Sequence, residues 1–316
     1  MVMLFKEKIL NKKTLLSLLV GFIVLYFLLT KLDFAELLNI IKNINIFYFI
    51  LSLFISFSVF PLLALRWQVL LRNVGLKKRV RDLNEIVFLS NFINCIVPAK
   101  AGELYRAYLI KKNYRFSMSK TIGTIFVERL IDMAFLIALM IISIEVVFRG
   151  VFPAIVITPV KILLILTIIF IILAFVMKHQ RKRIMKILPK KIKKIFGNFE
   201  RGISGCLRWR DMPLIGSYSV LRWFIQIMSF YFIILAINLK ISFFLIVFIT
   251  LASALITLIP ITPGGLGMGE LAIAGILVMF SVEKNLAISA SILIRFIGYW
   301  CVVLVGSIVY MLSSKK

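Results

Sequence analysis

The stretch SALITLIPITPGGLGMGELAIAGILVMF, residues 253–280, sets two apolar arms around a turn. Its centre, PITPGGLGMGE at 260–270, holds two prolines, four glycines and one carboxylate, Glu270. The arms are apolar enough for lipid, whereas the centre has loop chemistry. Glycine admits positive φ and close backbone approach, and proline ends the incoming arm. Irregular backbone at membrane depth is tolerated only where it is buried in protein or lines a wet cavity. The stretch therefore predicts a helical hairpin over about 243–280. Pro263, Gly264, Gly265 and Gly267 would form the turn, and Glu270 would open the outgoing helix.

The surrounding chain supports a membrane setting. Its 316 residues are 62% hydrophobic, with a mean hydropathy of +1.05. Such values exclude an ordinary soluble core. Apolar runs recur near the length of about 20 residues that crosses a ~30 Å hydrocarbon core. Backbone groups in lipid must satisfy one another, so the runs predict helices. The alternating ten-residue pattern of a barrel is missing. The expected fold is all-α and polytopic, a single integral membrane domain over 1–316. Six full spans are predicted, near 14–30, 46–65, 119–148, 154–177, 213–236 and 285–312. The first keeps a long apolar run with no small-residue cleavage site, so it predicts a retained span. Residues 33–44 predict an amphipathic helix at the interface.

The net charge is +26, with 13 acidic residues. Most basic residues lie between apolar runs, which points to an anionic membrane surface and not to nucleic acid. The segments at 66–82 and 178–212 predict basic loops, the second a solvated inner-surface patch. The positive-inside rule then places both termini in the cytoplasm of a cell-membrane protein. This holds only if 86–112 enters and leaves from the inner side, and 243–280 from the outer side. Residues 86–97 would make a helix of only ~18 Å, ending at Pro98. Two opposed hairpins, re-entrant or nearly spanning, are thus expected. GELYRAYLI at 102–110 and GELAIAGIL at 269–277 share Gly-Glu-Leu and an alanine five residues after the glycine. This is the pattern of an inverted repeat, and chance likeness of apolar helices remains the alternative.

Charged residues inside these segments are the candidate site. Glu103, after Gly102, and Glu270 are matched carboxylates at helix starts. Each would either cap its helix or line a gate or ion-linked site. Arg106 lies one turn beyond Glu103 and would pair with it, hold a phosphate, or snorkel. Glu128, Arg129 and Asp132 lie in VERLID at 127–132. Glu128 and Asp132 share a helical face, with Arg129 about 100° round. They would form a structural ion pair, with Arg222 or Arg295 as partners, or line a polar cavity. Arg222 and Arg295 sit deep in their spans, where arginine faces a partner or a cavity and favours phosphate or carboxylate.

Catalytic chemistry finds little purchase. Cys95, Cys206 and Cys301 form no spaced pair. His179 is the single histidine, which argues against a His-dependent metal site or nucleophile system. No P-loop pattern is present. No metal, cofactor or catalytic residue is expected.

Five stretches in order, RWQVLL (66–71), PAKAGELYRAYLI (98–110), VERLID (127–132), TPGGLGMGE (262–270) and ILIRFIGYW (292–300), resemble the flippase-like membrane family. That family includes the transmembrane domain of lysylphosphatidylglycerol synthetase/flippase proteins. The resemblance covers nearly the whole chain. It implies a protein that moves an anionic phospholipid or a polyprenyl-phosphate-linked lipid between leaflets without ATP hydrolysis. It carries over Pro98, Gly102, Glu103, Arg106, Glu128, Arg129, Gly264, Gly265, Gly267, Glu270 and Arg295. Related membrane domains occur attached to glycosyltransferases, so a membrane transferase, or a scaffold for a lipid-modifying enzyme partner, is the alternative. Two-part members add a soluble aminoacyl-transferase domain that these 316 residues lack. The resemblance therefore implies the membrane half and does not carry lysyl transfer.

Overall fold

A computed structural model describes residues 12–30, 33–149, 154–258 and 262–315. The basic N-terminus at 1–11 and residues 150–153, between two of the predicted spans, lie outside the described residues. The regular elements among those described are helices. In order they are α1 (Lys12–Leu29), α2 (Phe34–Lys42), α3 (Ile46–Asn73), α4 (Val80–Ile96), α5 (Ala101–Tyr114), α6 (Met118–Phe148) and α7 (Ala154–His179). There follow α8 (Arg181–Ile187), α9 (Lys190–Cys206), α10 (Met212–Ala236), α11 (Phe243–Leu258), α12 (Met268–Met279), α13 (Lys284–Arg295) and α14 (Cys301–Leu312). A π-helical turn, Phe296–Trp300, joins the last two. Among the described residues five segments are long and apolar enough to cross a membrane: Ile46–Asn73, Met118–Phe148, Ile157–Met177, Trp209–Ala236 and Lys284–Leu312. Leu15–Leu29, Phe243–Leu258 and Pro263–Met279 are shorter apolar helical segments. This is a polytopic all-α membrane fold.

The chain divides into two compact units. One gathers the described residues within 1–59, 89–102 and 224–312. Here α11 and α12 are the two arms of the predicted hairpin, packed on each other, and α12 packs on α13. The amphipathic α2 is capped by Asp33, whose carboxylate accepts from the Ala35 amide at 2.9 Å. Leu37 of α2 and Leu29 of α1 rest on buried Ala274 and Ile288. Within 89–102 the chain reverses tightly. The Ser90 hydroxyl donates to the Gly102 carbonyl at 2.7 Å, and the Gly102 amide donates to Asn94 Oδ1 at 2.8 Å. A Cβ at position 102 would collide with the Ser90 carbonyl oxygen. Backbone cannot yield as a flexible side chain can. Gly102→Ala is therefore expected to destabilise the protein by about 2–3 kcal/mol, read as a lower thermal midpoint in detergent.

The other unit gathers the described residues within 60–88, 103–223 and 313–316. Two expectations are corrected here. The segment 66–82 is not one basic loop, because α3 runs on through Pro61 to Asn73. Trp67, Leu70 and Leu71 are fully buried at helical spacing, and this burial outweighs the hydrogen bond lost at the proline. α4 then starts at Val80, well before residue 86. Nor is 178–212 simply a solvated loop. It contains α8 and α9, and α9 packs along α6. Phe196, Phe199, Ile203 and Cys206 repeat at helical spacing. The Phe199 carbonyl and Gly202 lie against Gly123, and Phe126 meets the rings of Phe170 and Phe199 edge-on. Small residues let helix backbones approach this closely.

Outside the spans, Lys315 Nζ lies 2.9 Å from both Asp82 Oδ1 and Glu85 Oε2. The Ser313 hydroxyl donates to Glu85 Oε1. The Lys315 hydrogen bond and charge hold the Asp82 carboxyl below its ordinary range. At Glu85 burial pushes upward, but hydrogen bonds from Ser313 and Lys315 outweigh it and the net direction is down. A depressed carboxyl stabilises above its unfolded pKa, and that contribution is lost as pH falls through the folded value. The segment Ser313–Lys315 should stay docked at neutral pH and release in acid, below about pH 4. Lys315→Ala should raise amide exchange there about fivefold at neutral pH, on the order of 1 kcal/mol for a partly exposed cluster. Hydrogen–deuterium exchange against pH reads both effects.

Candidate functional site: two buried charge clusters

The first cluster lies in the second unit, where α3, α5, α6 and α10 bring seven charged side chains together. Arg66 is its centre, 1% exposed. Its Nη1 donates to Asp132 Oδ1 at 2.6 Å and to the Ser219 hydroxyl at 3.1 Å. Its Nη2 donates to Glu128 Oε1 at 2.9 Å and to Asp132 Oδ2 at 3.2 Å. The other Glu128 oxygen accepts from Arg106 Nη1 at 2.9 Å. Arg106 lies over the Trp67 ring, 3.5 Å from its centroid, and Trp67 Nε1 donates to Thr124 at 3.2 Å. Arg129 bridges Glu103 at 3.0 Å and Asp132 at 3.5 Å. Arg222 stands 3.6 Å from Asp132 and over the Trp223 ring.

Four guanidinium groups thus meet three carboxylates, an excess of one positive charge. Arg66 meets Asp132 fork to fork, an arrangement that suits planar guanidinium, and Glu128 bridges Arg66 and Arg106 with one oxygen each. Burial of such charges is tolerated only with this degree of pairing. The pairing is still incomplete: Arg106 Nε and Nη2 and Arg66 Nε are buried without a hydrogen-bond acceptor among the described residues. These N–H groups keep the capacity to donate to an anionic oxygen or a water.

The second cluster lies in the first unit, around the opening stretch. Gly264, Gly265 and Gly267 have φ of 57°, 72° and 78°. These are left-handed conformations that glycine adopts without a Cβ clash. Glu270, 1% exposed, follows in the first turn of α12. Its Oε1 is 3.2 Å from Arg295 Nε, an ion pair that is off-line for a hydrogen bond. Arg295 Nη2 donates to the Gly264 carbonyl at 2.9 Å. The π-helical turn after Arg295 carries Tyr299, whose ring centroid is 5.1 Å from the guanidinium. The Tyr299 hydroxyl donates to the Cys95 carbonyl at 2.8 Å. Cys95 precedes the first turn, where Pro98 is followed by Ala99 and Lys100 at φ 59° and 51°. Non-glycine residues in that region store strain of about 1–2 kcal/mol each. A Cβ on Gly264 would come within 2.7 Å of the Tyr299 ring and 3.3 Å of Cys95 Cα. Within this unit the two Pro-containing turns therefore adjoin, joined through Tyr299.

The sequence-predicted residues fall into these two groups. Glu103, Arg106, Glu128, Arg129 and Arg222 belong to the first; Pro263, Gly264, Gly265, Gly267, Glu270 and Arg295 belong to the second. Gly102 serves close packing, with no positive φ. Two pairings differ from expectation. Arg106 bonds Glu128 and not Glu103, and it is buried instead of snorkelling. Arg295 pairs with Glu270, so VERLID takes Arg66, Arg106 and Arg222 as its partners. Glu103 and Glu270 each have an arginine partner, Arg129 and Arg295. Sequence reasoning missed Arg66 and Tyr299 and gave Asp132 no separate role. Arg66 looked like the first residue of a basic loop. The buried pattern of Trp67, Leu70 and Leu71 was the signal that α3 continues past it. Among the described residues no group of three His, Cys, Asp or Glu is placed to hold a metal.

Two relatives align with most of this chain. It is 36% identical over 227 residues to UPF0104 membrane protein MJ1078 of Methanocaldococcus jannaschii, covering 71% of this chain and 95% of that protein. It is 25% identical over 332 residues to UPF0104 membrane protein PH1989 of Pyrococcus horikoshii, covering 96% and 98%. A shorter likeness, 30% over 73 residues, is to glycosyltransferase AglD of Haloferax volcanii, covering 23% of this chain and 12% of that protein. The family described as the lysylphosphatidylglycerol synthase TM region matches residues 14–306, and the chain is a multi-pass membrane protein belonging to that family.

Proposed function

We propose that this protein moves a phosphate-bearing lipid between membrane leaflets, without ATP hydrolysis and without catalytic chemistry of its own. The observation that carries the proposal is the first cluster's surplus arginine, with guanidinium N–H groups of Arg106 left without acceptors. A phosphate oxygen is the partner that such an edge recognises. Charged groups inside a membrane are costly and are kept for function by default. The second cluster supports the reading: a carboxylate, an arginine and strained turns are held together beside helix ends, the construction transporters use at midplane sites. The two turns are proposed to be the tips of re-entrant hairpins related as an inverted repeat, with both termini in the cytoplasm.

The test is leaflet exchange in proteoliposomes with fluorescent phosphatidylglycerol and a short polyprenyl phosphate. Wild type should exchange at least one of them well above protein-free vesicles, and Arg106→Lys, which keeps the charge but loses the planar edge, should slow exchange about tenfold. Folded protein that exchanges neither lipid sinks the proposal. The likeness to AglD favours a second reading, a membrane partner for a lipid-modifying glycosyltransferase. Co-purification with such an enzyme, together with absent exchange, would select it.

A further inference from the structure

A cavity of about 200 Å³ opens between α7 and α9, away from both charge clusters. Its walls are apolar: Ala174, Phe175 and Met177 from α7, Ile203 from α9, and Leu207 just past the end of α9. The polar atoms at its side belong to Glu200 and Ser204. Glu200 is 3% exposed, an acid buried in an apolar setting. Among the described residues its Oε2 has one ionic neighbour, Arg181 Nε at 3.3 Å, off-line for a hydrogen bond. Arg181 is itself 44% exposed, so much of its charge is spent on solvent. The Ser204 hydroxyl donates to the Glu200 backbone carbonyl and leaves the carboxylate without a donor from that side.

Among the described residues the Oε2 oxygen of Glu200 is buried without an aligned donor, a costly arrangement. The groups that relieve it are cations carrying several N–H bonds. The cavity adjoins the end of an apolar span whose Leu173, Phe175 and Val176 are exposed, so the occupant arrives from the lipid phase. We propose that this cavity binds the head of a lipid bearing a primary ammonium group, with Glu200 as its anchor and the α7 face alongside its chains. A primary ammonium offers three donors to a carboxylate, and a quaternary one offers none. The site is independent of the translocation reading.

The experiment is native mass spectrometry of the full chain in detergent, titrated separately with phosphatidylethanolamine, phosphatidylcholine and phosphatidylglycerol. Wild type should retain phosphatidylethanolamine at about tenfold lower concentration than either other lipid, the scale of a charge-assisted hydrogen-bonded contact. Glu200→Gln should abolish that preference, and Arg181→Gln, which removes the competing cation, should keep or strengthen it. Ala174→Trp fills the cavity from α7 while sparing Glu200, and it too should abolish the preference. Equal retention of the three lipids by wild type overturns the proposal. So does a preference that survives Ala174→Trp, or survives Glu200→Gln in folded protein. If Glu200 served only to pair Arg181, both of their variants would lower the thermal midpoint alike and leave lipid retention unselective.

Discussion

Glu128→Met is expected to cost about 3–5 kcal/mol of stability, the range for breaking a buried ion pair from one side. Glu128 has no exposed surface and accepts from two arginines at once, Arg66 and Arg106. Removing it leaves two buried like charges, which then repel. The two arginines are not equivalent. Arg66 keeps Asp132 and Ser219, whereas Arg106 loses the hydrogen bond it makes to Glu128 and keeps the Trp67 ring. Adding Arg106→Met should therefore recover about 2 kcal/mol, within the range for coupled neighbours. Adding Arg66→Met should recover nothing, because it deprives Asp132 of its closest donor. Thermal or denaturant unfolding in detergent of the single and double variants measures the cycle. Equal recovery by both arginine changes would mean that Glu128 does not sit at the hub of this network.

The legibility of this network in the sequence was uneven, for physical reasons. VERLID was conspicuous because charge inside an apolar run has no cheap explanation. The Pro-Gly turn was conspicuous because proline and positive-φ glycine punctuate a helix in a way that hydrophobic residues cannot. Arg66 was hidden by its context. Arg66, Arg72, Lys77 and Lys78 follow one another closely, and a local charge density reads as solvent. Only burial distinguishes the inward Arg66 from the exposed Arg72. The same masking acted on KKIKKIFGNFERGISGC, where lysines hid an amphipathic helix that packs along α6. Partner choice was harder still. Arg106 is one turn from Glu103 on its own helix, yet it bonds Glu128 on another, because tertiary packing and not spacing fixes which carboxylate faces it. Tyr299 carried no signal at all: its role depends on a π-helical turn, which sequence periodicity does not announce.

Arg295→Met should be the most damaging single change in the second cluster, and a paired variant separates its structural role from the role that the proposed lipid movement would give it. With Arg295 gone, Glu270 is buried with neither a counter-charge nor a hydrogen bond on either oxygen, at an expected cost of about 3–5 kcal/mol. The Gly264 carbonyl also loses its donor, adding about 1 kcal/mol. The double variant Arg295→Met, Glu270→Met removes both charges together. Replacing a buried pair by apolar groups of similar size is often neutral, so most of the stability should return. Only the loss at Gly264, about 1 kcal/mol, should remain. Under the proposed function, if the pair only holds the turn, this folded, charge-free protein should exchange lipid at the rate that wild type shows. If the pair gates the lipid path, exchange falls to the protein-free rate although the fold is intact. The second result is expected, because the turn is already fixed by its glycine conformations and by Tyr299. An apolar pair would hold the hairpin as well, so the charge is not explained by stability alone. Leaflet exchange and thermal midpoint measured on the same preparation distinguish the two roles.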